Sequence, residues 1–240
     1  MIVRDSATPL YGQVKAWLVG EIRAGALTEH AQVPSERRLV RDLGVSRITV
    51  RRALSDLARA GVVADHLDLV GRTLHHHHTI EDELLWPRLL ERVPEEMAPI
   101  VHLMESQHEG VDRLLAELGE LLPTFRAHAR AEDRERIAAI LDDLYVRLVE
   151  HLDAEETRML PIVARTITQE EWDAMGEAGR AATPRGEQFL VLGMYEYDGD
   201  PAVIAHMLSD APAPVRWFLL RAARRAFRRH AMRVHGTATP

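Results

Sequence analysis

Two stretches of the sequence, 74 residues apart, repeat the same residue types at the same spacing. Residues 77–87 read HHTIEDELLWP and residues 151–161 read HLDAEETRMLP. In each, a carboxylate (Glu81, Glu155) follows a histidine (His77, His151) by four. A second acid (Asp82, Glu156) comes next, and a proline (Pro87, Pro161) follows the histidine by ten. Residues four apart on an α-helix lie one above the other, about 6 Å along the axis. Each His/Glu pair can therefore reach one metal ion, and two such helices facing each other can hold two ions. Imidazole and carboxylate together suit iron better than calcium or magnesium.

The elements that must position these side chains are helices. Leu67, Val70, Leu74, Leu84 and Leu85 recur at helical spacing around the first pair, and Ile137, Leu141, Leu144, Leu148 and Met159 around the second. A carboxylate on a core stripe is costly unless it is paired or coordinates a metal. A single pair could be a histidine and a glutamate satisfying each other on a wet helix face; the matched repetition favours a metal. A third stripe, Met104, Val111, Leu115, Leu118 and Leu122, has His108 in register, which makes it a further candidate ligand. His75, His76 and His78 point around other faces and are expected to be solvated or to support the ligands through hydrogen bonds. His102, His128, His206, His230 and His235 have no partner at ligand spacing.

The strings LHHHHTIEDELLWPRL, LMESQHEGV and LVEHLDAEETRMLPIV carry a resemblance. Residues 64 to about 185 resemble a hemerythrin-like (HHE) cation-binding domain, a four-helix bundle holding a non-haem di-iron site. The resemblance implies His77, Glu81, His108, His151 and Glu155 as ligands, with the two glutamates bridging the irons. The family also has an earlier helix that brings another histidine, and here that stretch belongs to something else. His66 lies eleven residues before His77, about 16 Å along the same helix, and His30 is expected in a loop. By the resemblance the set is one helix and one histidine short, unless a partner chain provides them.

The first sixty residues follow a different logic. TPLYGQVKAWLVGEIRAGAL reads as an amphipathic helix through Val14, Leu18 and Ile22. VPSERRLVRDLGVSRITVRRALSDLARAGVV then gives two helices around Leu43-Gly44-Val45, with Ser35 and Ser46 as N-caps. Helix, glycine-containing turn, helix is the helix-turn-helix arrangement. Residues 1–63 hold ten Lys/Arg against six Asp/Glu, a net of +4 in a chain of −7, which leaves −11 for the remainder. That asymmetry fits a DNA-reading module on an acidic domain. Over residues 6–63, the strings PLYGQV, VPSERRL and LGVSRITVRRALSDLARAGVV resemble the GntR-type winged helix-turn-helix of bacterial regulators. By position, Arg37, Ser46, Arg47, Thr49 and Arg51 resemble that family's DNA-contacting residues. The two-stranded wing that should follow Val63 is missing, because ADHLDLVGRTLHHHH already reads as helix.

With no cysteine, disulfides, thiolate nucleophiles and cysteine–zinc sites are excluded. No apolar run is long enough for a membrane span and no signal-peptide pattern is present, so a cytoplasmic protein without a membrane partner is expected. Lys15 is the only lysine. ITQEEWDAMGEAGRA reads as a capped helix and residues 197–201 as a turn. Residues 211–240 carry seven arginines and no acid. This basic end is expected to pack its apolar side (Trp217, Leu220, Phe227) on the rest of the chain.

The expectation is a mainly α protein: a GntR-like helix-turn-helix over 1–63, a hemerythrin-like bundle over 64–185 and a basic helical extension over 186–240. The function expected is a DNA-binding transcriptional regulator, not an enzyme, with a non-haem iron (di-iron) sensing domain. Double-stranded DNA and a small ligand such as dioxygen or nitric oxide are the expected partners, and a homodimer the expected assembly. The alternative is a hemerythrin-like iron or dioxygen-binding protein with no role on DNA.

Overall fold

A computed structural model describes residues 2–3, 6–24 and 34–240, and among them the chain is mainly α, with no strand. In chain order the α-helices are α1 (Leu10–Arg23), α2 (Glu36–Leu43), α3 (Arg47–Ile80), α4 (Trp86–Arg92), α5 (Pro94–His128) and α6 (Ala131–Ala154). They continue with α7 (Leu160–Thr166), α8 (Gln169–Ala182), α9 (Gln188–Asp198), α10 (Pro201–Met207) and α11 (Ala213–Val234). None is long and apolar enough to cross a membrane. His30, expected in a loop, lies outside the described residues. By contact density the chain divides into two compact units, Met1–Leu69 with Val111–Leu148 and Val70–Gly110 with Val149–Pro240. The divisions fall inside α3, α5 and α6, and Val63 is likewise interior to α3. Residues 64–80, where a wing was sought, are helix.

In the first unit the helix-turn-helix is built by the residues that signalled it. Ser35 caps α2 by accepting the Arg38 N–H, and Gly44 ends α2 in the left-handed conformation at φ 64°, which a side chain rarely adopts. Ser46 Oγ then accepts the Thr49 N–H at 3.1 Å and starts α3. Val14, Leu18, Leu39, Val45, Val50 and Ala53 form the core between these helices. Ile22, expected on the apolar face of α1, is 54% exposed. It lies in the last turn of α1, one residue before the helix ends. Lys15, only 9% exposed, donates to the Ala129 carbonyl at 3.0 Å and pairs with Asp56 at 3.6 Å.

The core of the second unit is Leu85, Trp86, Leu89, Met97, Val101, Met104, Met159, Ile162, Val163 and Met175. Between α3 and α4, and again between α6 and α7, the helix widens into a π-turn, at Glu81–Leu85 and Glu155–Met159. Each π-turn starts on the glutamate of the repeated motif and stops two residues before its proline. Proline has no N–H and its ring crowds the carbonyl four residues earlier, so a turn closed at i−5 relieves a contact that a regular turn would not. Thr168 and Glu171 make the capping box expected at the start of α8. Arg92 joins it by donating to the Thr166 carbonyl and to both Glu171 oxygens.

At the C-terminus α11 packs on α9. The buried face of α11 is Ala223, Phe227 and Ala231, against Gly193 of α9. Trp217, expected on that face, is 65% exposed, with the Arg221 guanidinium 5.6 Å from its ring centre. Six residues before Ala223, it falls between turns of that face.

Candidate metal centre and nucleic-acid interface

The covered stripe of α3 and its π-turn runs in steps of four and three through half-buried Leu67, Gly71 and Leu74 to buried His78, Glu81 and Leu85. Val70, assigned to the stripe from sequence, is exposed, and so is Leu141 on α6, where Ile140 is buried instead. Two clusters of three side chains, each with ligand atoms within 4.8 Å of one another, sit at this level of the second unit. One is His77, Glu81 and Glu155; the other is His78, His108 and His151. The structure thus brings together all five residues singled out as ligands and adds His78. Expected to be solvated or supporting, His78 is 2% exposed, because it and not His77 continues the stripe. The HxxxE spacing drew attention to His77, whose side chain is half exposed although its Nε2 lies 3.7 Å from Glu81 Oε1. Leu74 four residues before and Leu85 seven after were the signal for His78. His75 and His76 are exposed, and His66 is half-buried on α3.

The rings pack tightly. His78 stacks on His108 with centroids 4.0 Å apart and meets His151 edge-on at 5.2 Å, while His108 and His151 are 4.9 Å apart. His108 Nδ1 lies 2.9 Å from Asp82 Oδ1, which also accepts the Trp86 indole N–H at 2.8 Å. His151 Nδ1 lies 3.3 Å from Gln107 Oε1. An acceptor at Nδ1 assigns the proton to that nitrogen and leaves Nε2 with a lone pair. Asp82, noted in the sequence only as an acidic neighbour, thereby orients a candidate ligand, and no sequence signal marked Gln107.

Several polar atoms here have no hydrogen-bond partner among the described residues: both ring nitrogens of His78, Nε2 of His108 and of His151, and Oε2 of Glu81. Burial, reinforced by the His108 and His151 imidazoles, pushes His78 down to about 3. Burial, then His108 and His77, takes His151 to about 4. His77 is also lowered, burial outweighing the pull of the Glu155 carboxylate. Glu81 is raised by burial first, then by the charge of Glu155 and the hydrogen bond the protonated Glu81 donates to it, then by Asp82. Neutral imidazoles are the form that binds metal, and a cation would relieve the crowding of Glu81 by Glu155. Buried lone pairs without partners and a nitrogen-rich donor set fit a borderline transition metal such as iron or zinc.

The candidate DNA residues lie in the first unit. Arg37 and Arg47 are exposed. Ser46 Oγ and Thr49 Oγ1 are 2.8 Å apart within the α3 cap, and Thr49 is half-buried. Arg51 Nε lies 3.0 Å from both carboxylate oxygens of Glu36, so that guanidinium already has a partner.

Residues 10–66 match the family model described as bacterial regulatory proteins, gntR family. The chain is similar to the histidine utilization repressor of Pseudomonas aeruginosa, 47% identical over 55 residues, which is 23% of this chain and 22% of the relative. It is also similar to the HTH-type transcriptional repressor NagR of Bacillus subtilis, 39% identical over 62 residues, 26% of each chain. A third relative is the probable fructoselysine utilization operon transcriptional repressor of Escherichia coli, 41% identical over 60 residues, 25% of each. The chain therefore spans about a quarter of the length of the curated relatives it matches. No solved structure matches it. The capped helices, the Gly44 turn and the family match together identify residues 10–66 as a GntR-family helix-turn-helix domain.

Proposed function

We propose that this protein is a DNA-binding transcriptional regulator, acting in the cytoplasm, whose hemerythrin-like region from residue 64 to about 185 holds non-haem iron. The observation that carries the reading is a pair of metal-capable clusters with four unpartnered buried ring nitrogens, in the same chain as a GntR-family domain. Helix α3 contributes to both candidate sites, Arg47, Thr49 and Arg51 near its start and His77 and His78 near its end. Iron, when bound, supplies a redox-active centre open to a small ligand such as dioxygen or nitric oxide. The chain's own part is to keep His78 and His151 neutral by burial, to orient His108 and His151 through Asp82 and Gln107, and to set Glu81 between the clusters. The relatives that match are named as repressors, and the chain is read as a regulator rather than an enzyme.

Dimerisation belongs to the same proposal, since half-site spacing on DNA follows protein symmetry. On α6, Leu141, Tyr145, Val149 and Leu152 recur at steps of four, four and three and are all exposed. Such a stripe on a helix is the kind of surface a second copy covers.

The test is metal content per chain with an absorption spectrum, on protein expressed with iron available. DNA affinity of the loaded and stripped forms follows, by fluorescence anisotropy at fixed salt. Bound iron with a metal-dependent change in DNA affinity is expected. A chain that takes up no metal, or whose DNA affinity ignores it, sinks the proposal. The alternative, an iron or dioxygen binder with no role on DNA, draws support from the Arg51–Glu36 pair and predicts metal uptake with no DNA binding.

A further inference from the structure

We propose that His78 is itself a metal ligand, forming with His108 and His151 an all-imidazole centre beside the mixed centre of His77, Glu81 and Glu155. The inference rests on the reading of this region as metal-binding and goes beyond it by naming a ligand that has no counterpart in the second copy of the motif, where Leu152 stands.

Three observations carry it. The first is that His78 is buried on the helix stripe with neither ring nitrogen hydrogen-bonded among the described residues. A buried imidazole serving only as packing would leave two polar atoms desolvated for no return, a situation native interiors avoid. The second is convergence. His108 and His151 are each held at Nδ1, by Asp82 and Gln107, and so present Nε2, also unpartnered, within 4.8 Å of a His78 ring nitrogen. Two nitrogens on one ion at about 2.1 Å each lie at most about 4.2 Å apart. The nitrogens lie within 4.8 Å of one another, and His78 and His108, stacked with planes 7° apart, must turn for their lone pairs to meet at one ion. The third is Glu81, whose Oε1 lies 3.7 Å from His77 Nε2 and whose Oε2 lies 3.5 Å from His108 Nε2. One carboxylate thereby faces both clusters and is placed to bridge two ions.

His78 also removes the deficit noted in the sequence. With it the donor set becomes four histidines and two glutamates from α3, α5, α6 and the two π-turns, all of one chain. No partner chain has to contribute a histidine. The two centres are chemically unequal: three imidazoles on one side, one imidazole and two carboxylates on the other. The first suits borderline divalent ions such as Zn(II), Co(II) and Fe(II) and has no appeal for calcium or magnesium.

The experiment is a Co(II) titration of the full metal-free chain, followed by visible absorption and equilibrium dialysis, on the wild type, His78→Phe and His76→Phe. Phenylalanine keeps a buried ring at 78, and position 76 is an exposed control two residues away. Two cobalt ions per chain are expected for the wild type and for His76→Phe. In His78→Phe one equivalent should bind about a hundredfold more weakly or not at all, since even outer-shell losses reach that range. A His78→Phe titration that superimposes on the wild type overturns the ligand role while leaving the metal reading of the region intact. A wild type that takes up no cobalt overturns both. Should His78→Phe fail to fold by circular dichroism, the wild type decides through NMR of the cobalt-loaded chain labelled on histidine nitrogen. Four hyperfine-shifted rings support the proposal, and a His78 ring without such a shift overturns it.

Discussion

Glu81→Gln should make the metal-free protein more stable at mildly alkaline pH while reducing the stabilisation that metal confers. Without an ion, Glu81 is buried beside Glu155 and Asp82, and its carboxyl is held well above the usual carboxylate range, burial being the largest cause. In the unfolded chain a glutamate loses its proton near pH 4.3. Between that value and its raised folded value, the native state holds a proton that the unfolded state has released. Stability therefore falls as pH rises, by about 1.4 kcal/mol per pH unit for one such proton. His77, His78 and His151 act in the opposite direction, since their folded values are lowered. Their contribution rises with pH and is complete once unfolded imidazoles are neutral, near pH 7. The interval from pH 7 to 8 thus isolates Glu81. Across it the metal-free wild type should lose about 1.4 kcal/mol, or roughly 3–6 °C in Tm for a chain of this size. Glu81→Gln, with the same shape and no charge, should lose none of this. The assay is urea denaturation at both pH values, followed by tryptophan fluorescence, to which the fully buried Trp86 contributes directly. Adding Co(II) should then stabilise the variant less than the wild type, since only the centre of His77, Glu81 and Glu155 loses a ligand. Parallel falls for both proteins, or a variant less stable at pH 8, would refute the reasoning.

Three other outcomes follow from the same structure. Arg47→Ala should weaken DNA binding across sequences and lower the slope of log affinity against log salt by about 1, as expected for one lost phosphate contact; an unchanged slope counts against a contact there. Gly193→Ala places a methyl 2.5 Å from the Ala223 carbonyl oxygen and 2.8 Å from Phe227 Cβ, so α9 and α11 must part. The cost should be about 1–3 kcal/mol, and an unaltered thermal melt would show that the pair is looser than described. Tyr145→Glu puts a charge in the exposed stripe of α6 and should shift a dimer to monomer in analytical ultracentrifugation, with retained sedimentation of the dimer placing the interface elsewhere.

What could be read from the sequence was what rests on local rules. Ser35, Gly44 and Ser46 announce caps and a left-handed turn, and each does that work in the structure, because a cap depends on the three or four residues beside it. The repeated motif likewise gave four of the six clustered side chains, and the apolar stripe around His108 a fifth. It missed His78 because a four-residue His/Glu spacing identifies which residues can share an ion, not which face of the helix is buried. The stripe through Leu67, Gly71 and Leu74 identifies the face, and Gly71 conceals it, since a glycine carries no hydropathy signal. Trp217 and Ile22 failed for a related reason: an apolar residue is buried only if another element arrives to cover it, and periodicity along one helix does not say what lies opposite. The π-turns had a local cause in Pro87 and Pro161, but nothing in the sequence says whether proline ends a helix or widens it.

The lone lysine has a practical consequence for chemistry done on this protein. Lys15 Nζ is engaged by the Ala129 carbonyl and the Asp56 carboxylate and is almost fully covered. An amine-reactive ester can acylate it only during moments when α1 lifts away from its neighbours, because arginines do not react. The rate of acylation at this one side chain is therefore a clock for that local opening. It needs no engineered probe and can be timed by the mass of a single peptide, with metal or DNA present or absent.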